Sequence, residues 1–131
     1  MRAIGRRAHA FLSLLIDEQN LDQSRPRQYP RNYVLSTGGG TPLLESNRTL
    51  LRQIGHVVWL RAKPETIAAR SRPHIERRPI LHGHEDDLDE HITNLLAARE
   101  PSYEQAATVH VWTDDDTDAD QIAVQIKQLI R

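Results

Sequence analysis

The sequence contains no cysteine, which excludes disulfide bonds, thiolate catalysis and zinc–thiolate sites. It also lacks an apolar run long enough to span a membrane. Neither charge sign dominates, because 17 basic and 18 acidic residues leave a formal net charge of -1. No global field therefore favours nucleic acid or an anionic membrane as a partner. This composition suits a soluble protein of the reducing cytoplasm.

The 131 residues are enough for one domain with a single core. Apolar residues at helical spacing alternate with short β-prone runs, and this alternation predicts an α/β fold with a parallel sheet and right-handed crossovers. Gly55 stops one helix and Pro64 starts the next. The predicted strands are 33–37, 56–60 and 108–113, and the predicted helices are 3–17, 44–54, 64–70, 86 onwards with an interruption at Pro101, and 118–130. The apolar strand 56–60 is expected to be covered on both faces.

Two segments show no sustained apolar period. Residues 19–32 are polar with two prolines and predict a loop. Residues 71–85 combine arginines, histidines, two prolines and a glycine, and predict a mobile basic loop outside the core. We therefore expect an N-terminal helix and polar loop over residues 1–32, and a main domain over residues 33–131.

A short apolar run opens into three consecutive glycines, Gly38, Gly39 and Gly40. A buried strand that ends in such a loop lets backbone N–H groups approach a small polar ligand closely, because no Cβ atoms intervene. Ligands of open α/β sheets bind at that edge. The alternative is a plain tight turn, which a bare triple glycine also fits.

Arginines supply the second candidate group. Arg77 and Arg78 in the basic loop suit a phosphate, because a guanidinium offers forked donors and keeps its charge. A loop that closes over a phosphoryl donor also excludes water. Arg99 lies where Pro101 is expected to interrupt the long helix, a position that suits pairing with a substrate carboxylate. Taken singly, each arginine is more typical of a solvated surface residue.

Together and in this order, these segments resemble the shikimate kinase family, which belongs to the P-loop proteins related to nucleoside-monophosphate kinases. The resemblance runs from about Val34 to Ile126. Its motifs are Thr-Gly-Gly-Gly at 37–40, Glu-Ser-Asn-Arg at 45–48, His-Val-Val-Trp-Leu at 56–60, Arg-Pro-Ile-Leu at 78–81 and Arg-Glu-Pro-Ser-Tyr at 99–103. The last resembles the family's Arg-x-Pro-Leu-Tyr segment, with Ser102 in place of leucine.

The resemblance implies ATP-dependent phosphorylation of a shikimate hydroxyl, with Mg²⁺, in aromatic amino-acid biosynthesis. It implies that Gly38, Gly39 and Gly40 contact shikimate and that Arg99 pairs with the shikimate carboxylate. It further implies that Arg78 is catalytic, reaching over the transferring phosphate from a lid at about residues 71–85. Arg70 or Arg72 would flank the adenine.

The family's Gly-x-x-x-x-Gly-Lys-[Ser/Thr] loop does not occur in these residues, whose only lysines are Lys63 and Lys127. The acidic pair of the family's second strand is missing as well. The expected fold is thus a three-layer, truncated P-loop kinase fold without the first two strands. We expect the isolated chain to be inactive, since phosphoryl transfer depends on positioning and charge. Alternatives are a non-catalytic shikimate-binding or regulatory module, or one half of a split kinase.

The missing P-loop strand would leave two strand edges unpaired. We therefore expect a marginal chain, a homo-oligomer or a partner chain that supplies the P-loop. Residues 82–87, His-Gly-His-Glu-Asp-Asp, could suggest a metal site, but histidines on a lid are more often solvated and no metal ligand is assigned. The acidic run 114–116 is more simply a turn whose charges favour the next helix.

Overall fold

A computed structural model of the chain describes residues 12–13, 33–114 and 118–130. Within these residues, two parallel strands form a sheet. Val58 is paired with Val109 at one end of the ladder, and Arg61 is paired with Trp112 at the other. This pairing confirms the predicted α/β class with a parallel sheet. The elements are α1 (Glu45–Ile54), β1 (Val58–Arg61), α2 (Pro64–Ser71), α3 (Leu88–Ala106), β2 (Val109–Trp112) and α4 (Ala119–Leu129), with 3₁₀ helices at Thr41–Leu43, Arg72–Arg77 and Pro79–Leu81.

Helix ends follow the local sequence signals. Gly55 caps the carboxyl end of α1, and its amide donates to the Leu51 carbonyl at 3.3 Å. Pro64 is the first residue of α2, where its missing N–H leaves no internal hydrogen bond unmade. Asp118 caps α4 by accepting from the Gln121 amide at 2.9 Å. These helix signals are confirmed to within one or two residues.

The chain divides into two compact units, of which the first comprises Met1–Val57 and Ser102–Thr108. Its buried apolar side chains include Leu12, Leu51 and Ala106. Leu12 and Ser13 are helical. The remainder of the predicted helix 3–17, the polar loop 19–32 and the acidic positions 115 and 116 lie outside the described residues.

The second unit comprises Val58–Pro101 and Val109–Arg131. Its core is one aliphatic cluster drawn from α2, the 3₁₀ helix Pro79–Leu81 and the first half of α3. Burying such side chains contributes about 1.5–3 kcal/mol each relative to leaving them exposed. The cluster consists of Ala68, Leu81, Leu88 and Ile92, with Ile67, Ile75 and Leu96 packed against it.

The prediction that residues 71–85 lie outside the core is wrong. Ser71 and Leu81 are only 2% and 3% exposed, and Ile75 packs against the same cluster. The arginines and histidines between them hide this pattern, because the 3₁₀ helices have a period near three residues. The segment is built from two short helices whose apolar side chains anchor it.

The predicted strand at 33–37 is also wrong, and the described sheet has two strands where three were expected. Residues 33–38 adopt neither helix nor strand, and Val34 is 99% exposed. A β-prone run becomes a strand only when a neighbour pairs with it and one face is buried. No described strand pairs with this run.

Two further expectations need correction. Strand 56–60 is observed as Val58–Arg61, and it is not covered on both faces because Leu60 is 57% exposed. Pro101 does not end the long helix, since α3 continues through it to Ala106. The proline removes one intrahelical hydrogen-bond donor. The last turn of the helix is nevertheless held, because Ala106 is buried and the Ala107 amide donates to Tyr103 O at 2.9 Å.

In the described part of the chain, no helix is both long and apolar enough to cross a membrane.

Candidate functional site

The glycine loop, residues 38–40, lies on the surface of the first unit. Gly38 and Gly39 are exposed and Gly40 is half-buried. The loop leads into the 3₁₀ helix Thr41–Leu43, where the Thr41 amide donates to Gly38 O at 3.1 Å. No described residue accepts a hydrogen bond from the amides of the three glycines. As far as the described part of the chain goes, these amides can donate to a ligand.

Neither packing nor backbone conformation within the described residues requires glycine in this loop. A Cβ atom added at Gly38 or Gly40 would meet nothing within 4 Å. Among the described glycines, Gly83 is the one with φ in the left-handed region, at 82°. An added Cβ would instead occupy open space beside the loop, where a ligand would approach the amides.

Helix α1 holds the segment that follows the glycines. The side-chain amide of Asn47, which is fully buried, donates from Nδ2 to Thr41 O at 3.0 Å. Arg48 donates from Nη1 to Pro42 O at 2.8 Å and to Leu43 O at 3.2 Å. Three consecutive carbonyls are thus bound by two neighbouring side chains of α1. Local sequence patterns gave no sign of this role.

The carboxyl-terminal part of α3 holds the loop itself. The Tyr103 hydroxyl donates to Gly39 O at 2.7 Å, across 64 residues of sequence. Tyr103 belongs to the Arg-Glu-Pro-Ser-Tyr motif, so two separate motifs meet within the first unit. Sequence reasoning missed this contact, and the motif spacing was the only signal that pointed to it.

The other predicted substrate and catalytic residues lie in the second unit. Arg99 is half-buried on α3. Arg78 is exposed and precedes the 3₁₀ helix Pro79–Leu81 as its N-cap. The ion pairs among the described residues do not include Arg78. Its guanidinium is thus accessible to an anionic group.

The two arginines predicted to flank a nucleotide have different environments in the same unit. Arg70 donates from Nη1 to Thr113 Oγ1 at 2.9 Å and from Nη2 to Thr113 O, which ties α2 to the residue after β2. Arg72 forms an exposed ion pair with Asp89 at 3.5 Å. Exposed pairs contribute little to stability, so Arg72 can exchange this partner readily.

Asp114 follows β2 on the same side of the sheet as the start of α2. Its carboxylate accepts from the Lys63 amide at 2.8 Å. The Thr66 hydroxyl and this amide hydrogen-bond to the carboxylate and hold the Asp114 pKa below its ordinary value. Asp114 therefore stays ionised at neutral pH and fixes the connection between β1 and α2.

The histidine-rich segment at 82–87 contacts α3 through the ring of His84. The rings of His84 and His91 stack with centroids 3.6 Å apart, and His84 Nδ1 lies 3.1 Å from Asp87 Oδ1. His91 Nε2 contacts Ile80 O at 2.9 Å. No group of three or more His, Asp or Glu side chains in the described ranges is arranged to hold a metal ion. These contacts join the segment to α3.

Comparison with known protein sequences identifies the family of the chain. The family model described as shikimate kinase matches residues 17–131 of the chain. No solved structure matches the chain significantly.

Curated relatives agree with the family match. A shikimate kinase of Symbiobacterium thermophilum is 43% identical over 99 residues, which is 75% of this chain and 56% of the relative. A shikimate kinase of Bacteroides fragilis is 36% identical over 97 residues, covering 73% of this chain and 54% of the relative. One of Neisseria gonorrhoeae is 49% identical over 74 residues, covering 56% and 53%. The chain spans about half the length of the curated relatives it matches.

Proposed function

Because the chain belongs to the shikimate kinase family, we propose that its 131 residues form the shikimate-binding side of an ATP-dependent shikimate kinase. The whole protein would phosphorylate a shikimate hydroxyl in aromatic amino-acid biosynthesis, and its lack of cysteine suits the cytoplasm. The substrate is thus a small polar carboxylic acid.

The observation that carries this proposal is the held glycine loop. Tyr103 donates to Gly39 O, while Asn47 and Arg48 of α1 donate to the carbonyls of Thr41, Pro42 and Leu43. With its carbonyls engaged, the loop presents amides that no described residue uses. Amides fixed in this way can donate to substrate hydroxyls without reorganising, which is the general requirement for tight and selective binding of a polar ligand.

Three arginine roles belong to the proposal by family resemblance. Arg99 would pair with the shikimate carboxylate, since a guanidinium and a carboxylate match in a two-bond geometry. Arg78 would reach over the transferring phosphate, and its exposure in the segment at 71–85 supports an anionic partner. Either Arg70 or Arg72 would flank the adenine.

The residues present do not fit the nucleotide-phosphate half of the reaction. The sequence holds no Gly-x-x-x-x-Gly-Lys-[Ser/Thr] segment, and its described part offers no cluster for Mg²⁺. We therefore derive no transfer step through ATP or Mg²⁺. By themselves these residues would bind shikimate without phosphorylating it.

Calorimetric titration of the folded chain tests the proposal. We expect shikimate to bind and Mg-ATP not to bind measurably. Arg99→Ala should weaken shikimate binding at least tenfold, because a charge-assisted hydrogen bond contributes about 1.5–3 kcal/mol. Lys63→Ala, which also removes a positive charge from the second unit, should leave the affinity unchanged. Circular dichroism of both variants verifies folding.

Each outcome of the titration has one meaning. If Arg99→Ala and Lys63→Ala weakened shikimate binding equally, the loss would reflect net charge alone. That result would contradict Arg99 as the partner of the shikimate carboxylate. Tight Mg-ATP binding would show that a phosphate site exists without the P-loop pattern. Failure of the folded chain to bind shikimate would overturn the proposal.

A further inference from the structure

The first unit contains an open polar cavity on the outer side of α1. Its volume is about 250 Å³. Four of its lining residues, Glu45, Arg48, Thr49 and Arg52, come from α1, and Gln105 comes from the end of α3. Glu45 and Arg48 belong to the Glu-Ser-Asn-Arg motif, but none of the family roles described above uses this cavity.

Two like charges meet in this cavity. Arg48 and Arg52 are four residues apart on α1, so their side chains lie on one face, one helical turn from each other. Like charges at this spacing repel and destabilise a helix. None of the ion pairs among the described residues involves either guanidinium, although Glu45 lines the same cavity. An anion between the arginines would relieve the repulsion.

Both guanidinium groups are already oriented by the protein backbone. Arg48 is fixed through Nη1 by Pro42 O and Leu43 O. Arg52 is fixed through Nε by Ala106 O at 3.4 Å. Each guanidinium has five N–H donors, so several remain on each side chain for a ligand. Orientation in advance lowers the entropy cost of binding.

We propose that Arg48 and Arg52 bind a small phosphate-type oxyanion in this cavity. A phosphate group carries enough acceptor oxygens and charge for two forked donors, whereas one carboxylate is satisfied by a single arginine. The Gln105 side chain, which also lines the cavity, adds an amide donor. Glu45 also lines the cavity, and the negative charge of its carboxylate repels an oxyanion and so limits the affinity for phosphate. Free phosphate and a phosphate monoester share this chemistry.

The site is connected to the glycine loop through Arg48. The same guanidinium would contact the oxyanion and the carbonyls of Pro42 and Leu43, directly after the glycines. Binding of phosphate should therefore alter shikimate affinity by thermodynamic linkage. This connection, unlike the phosphate site, rests on the proposed function.

The site is tested by nuclear magnetic resonance titration of the chain with sodium phosphate and, separately, with glycerol 3-phosphate, at an ionic strength held constant with sodium chloride. We expect saturable shifts at the Thr49 amide and the Gln105 side-chain amide. Arg52→Gln should weaken binding at least about tenfold, as loss of a charge-assisted fork requires. Lys127→Gln removes the same charge from α4 and should change nothing. Glu45→Gln should tighten binding by removing the opposing carboxylate.

The variants distinguish a built site from general attraction. Equal weakening by Arg52→Gln and Lys127→Gln, or saturation without shifts at Thr49 and Gln105, would overturn the site. The tighter of the two ligands identifies free phosphate or an ester as the natural source.

A shikimate titration with and without saturating phosphate tests the linkage. A change in shikimate affinity of twofold or more supports it, and unchanged affinity overturns the linkage alone. Absence of any shikimate binding would count against the proposed function, whereas the phosphate shifts would still decide the site.

Discussion

At the scale of single residues, a few side chains determine the shape of the glycine loop. The loop has neither regular structure nor buried apolar side chains to hold it. Its conformation depends on side-chain donors from α1 and α3, among which the Tyr103 hydroxyl is the one that reaches a glycine carbonyl. Loops that carry function are generally held by a rigid scaffold in this way.

Tyr103→Phe tests this dependence because it removes only the hydroxyl. We expect shikimate affinity to fall by between twofold and tenfold, since a neutral hydrogen bond contributes about 0.5–1.5 kcal/mol. Titration calorimetry measures the affinity and urea denaturation measures the free energy of unfolding. Reduced stability with unchanged shikimate affinity would show that Tyr103 supports the fold without positioning the loop.

Asp114→Asn tests a second single residue, through pH. The pKa of Asp114 is lowered in the folded chain by hydrogen bonds from the Thr66 hydroxyl and the Lys63 amide. A lowered folded-state pKa stabilises the protein above the ordinary value of 3.8 and loses this effect as pH falls through the folded pKa. The wild type should therefore be more stable than Asp114→Asn at neutral pH, with the difference shrinking below about pH 4. Urea denaturation at a series of pH values measures this difference in the free energy of unfolding. A difference independent of pH would contradict the lowered pKa of Asp114.

At the scale of elements, the basic segment at 71–85 combines a charged exterior with an apolar attachment. Leu81 is buried against Leu88 and Ile92 of α3, while Ile80, its neighbour, is 40% exposed. Histidine contacts add a polar attachment to the same helix, with His91 Nε2 bonded to Ile80 O. The segment thus carries Arg78 on a packed base.

Separate substitutions of Leu81 and Ile80 distinguish the apolar attachment of the segment from its exposed surface. Leu81→Ala should lower the free energy of unfolding by about 2–4 kcal/mol, because it removes core contacts and leaves a cavity. Ile80→Ala should cost less than about 1 kcal/mol, since the residue is already 40% exposed and lies outside the buried cluster. Urea denaturation followed by circular dichroism measures both. Similar small costs would mean that the segment is not packed against α3.

The two-stranded sheet is reinforced by aromatic side chains on one face. The Arg61 guanidinium lies 4.1 Å from the ring centroid of Trp59 and 4.3 Å from that of Trp112, its direct cross-strand neighbour. The same group is 3.8 Å from Glu100 of α3. Cation–π contacts contribute about 0.5–2 kcal/mol according to burial. Arg61 therefore links β1, β2 and α3 within the second unit.

At the scale of the whole molecule, the family motifs are divided between the two compact units. The glycine loop and Tyr103 belong to the first unit, and Arg78 and Arg99 belong to the second. The chain covers about half of each relative it matches. Phosphoryl transfer needs a phosphate-binding loop in addition to these groups. The titrations with shikimate and Mg-ATP address this scale, because they ask which half of the reaction these residues support.

The sequence alone determined the α/β class, the local start and stop signals of several helices and the family membership suggested by the motifs. The stop at Gly55 and the start at Pro64 act over a few residues, and so neighbours along the chain were enough to predict them. The glycine loop was identified for the same reason.

Tertiary structure alone decided which groups hold that loop, where Leu81 packs and whether residues 33–37 become a strand. The bond from Tyr103 to Gly39 spans 64 residues, and the one from Arg70 to Thr113 spans 43. Pairing and burial at such separations depend on how complete elements pack together, and no local pattern encodes them. A β-prone run without a paired neighbour stays irregular for this reason, and a leucine in a basic segment can still belong to the core.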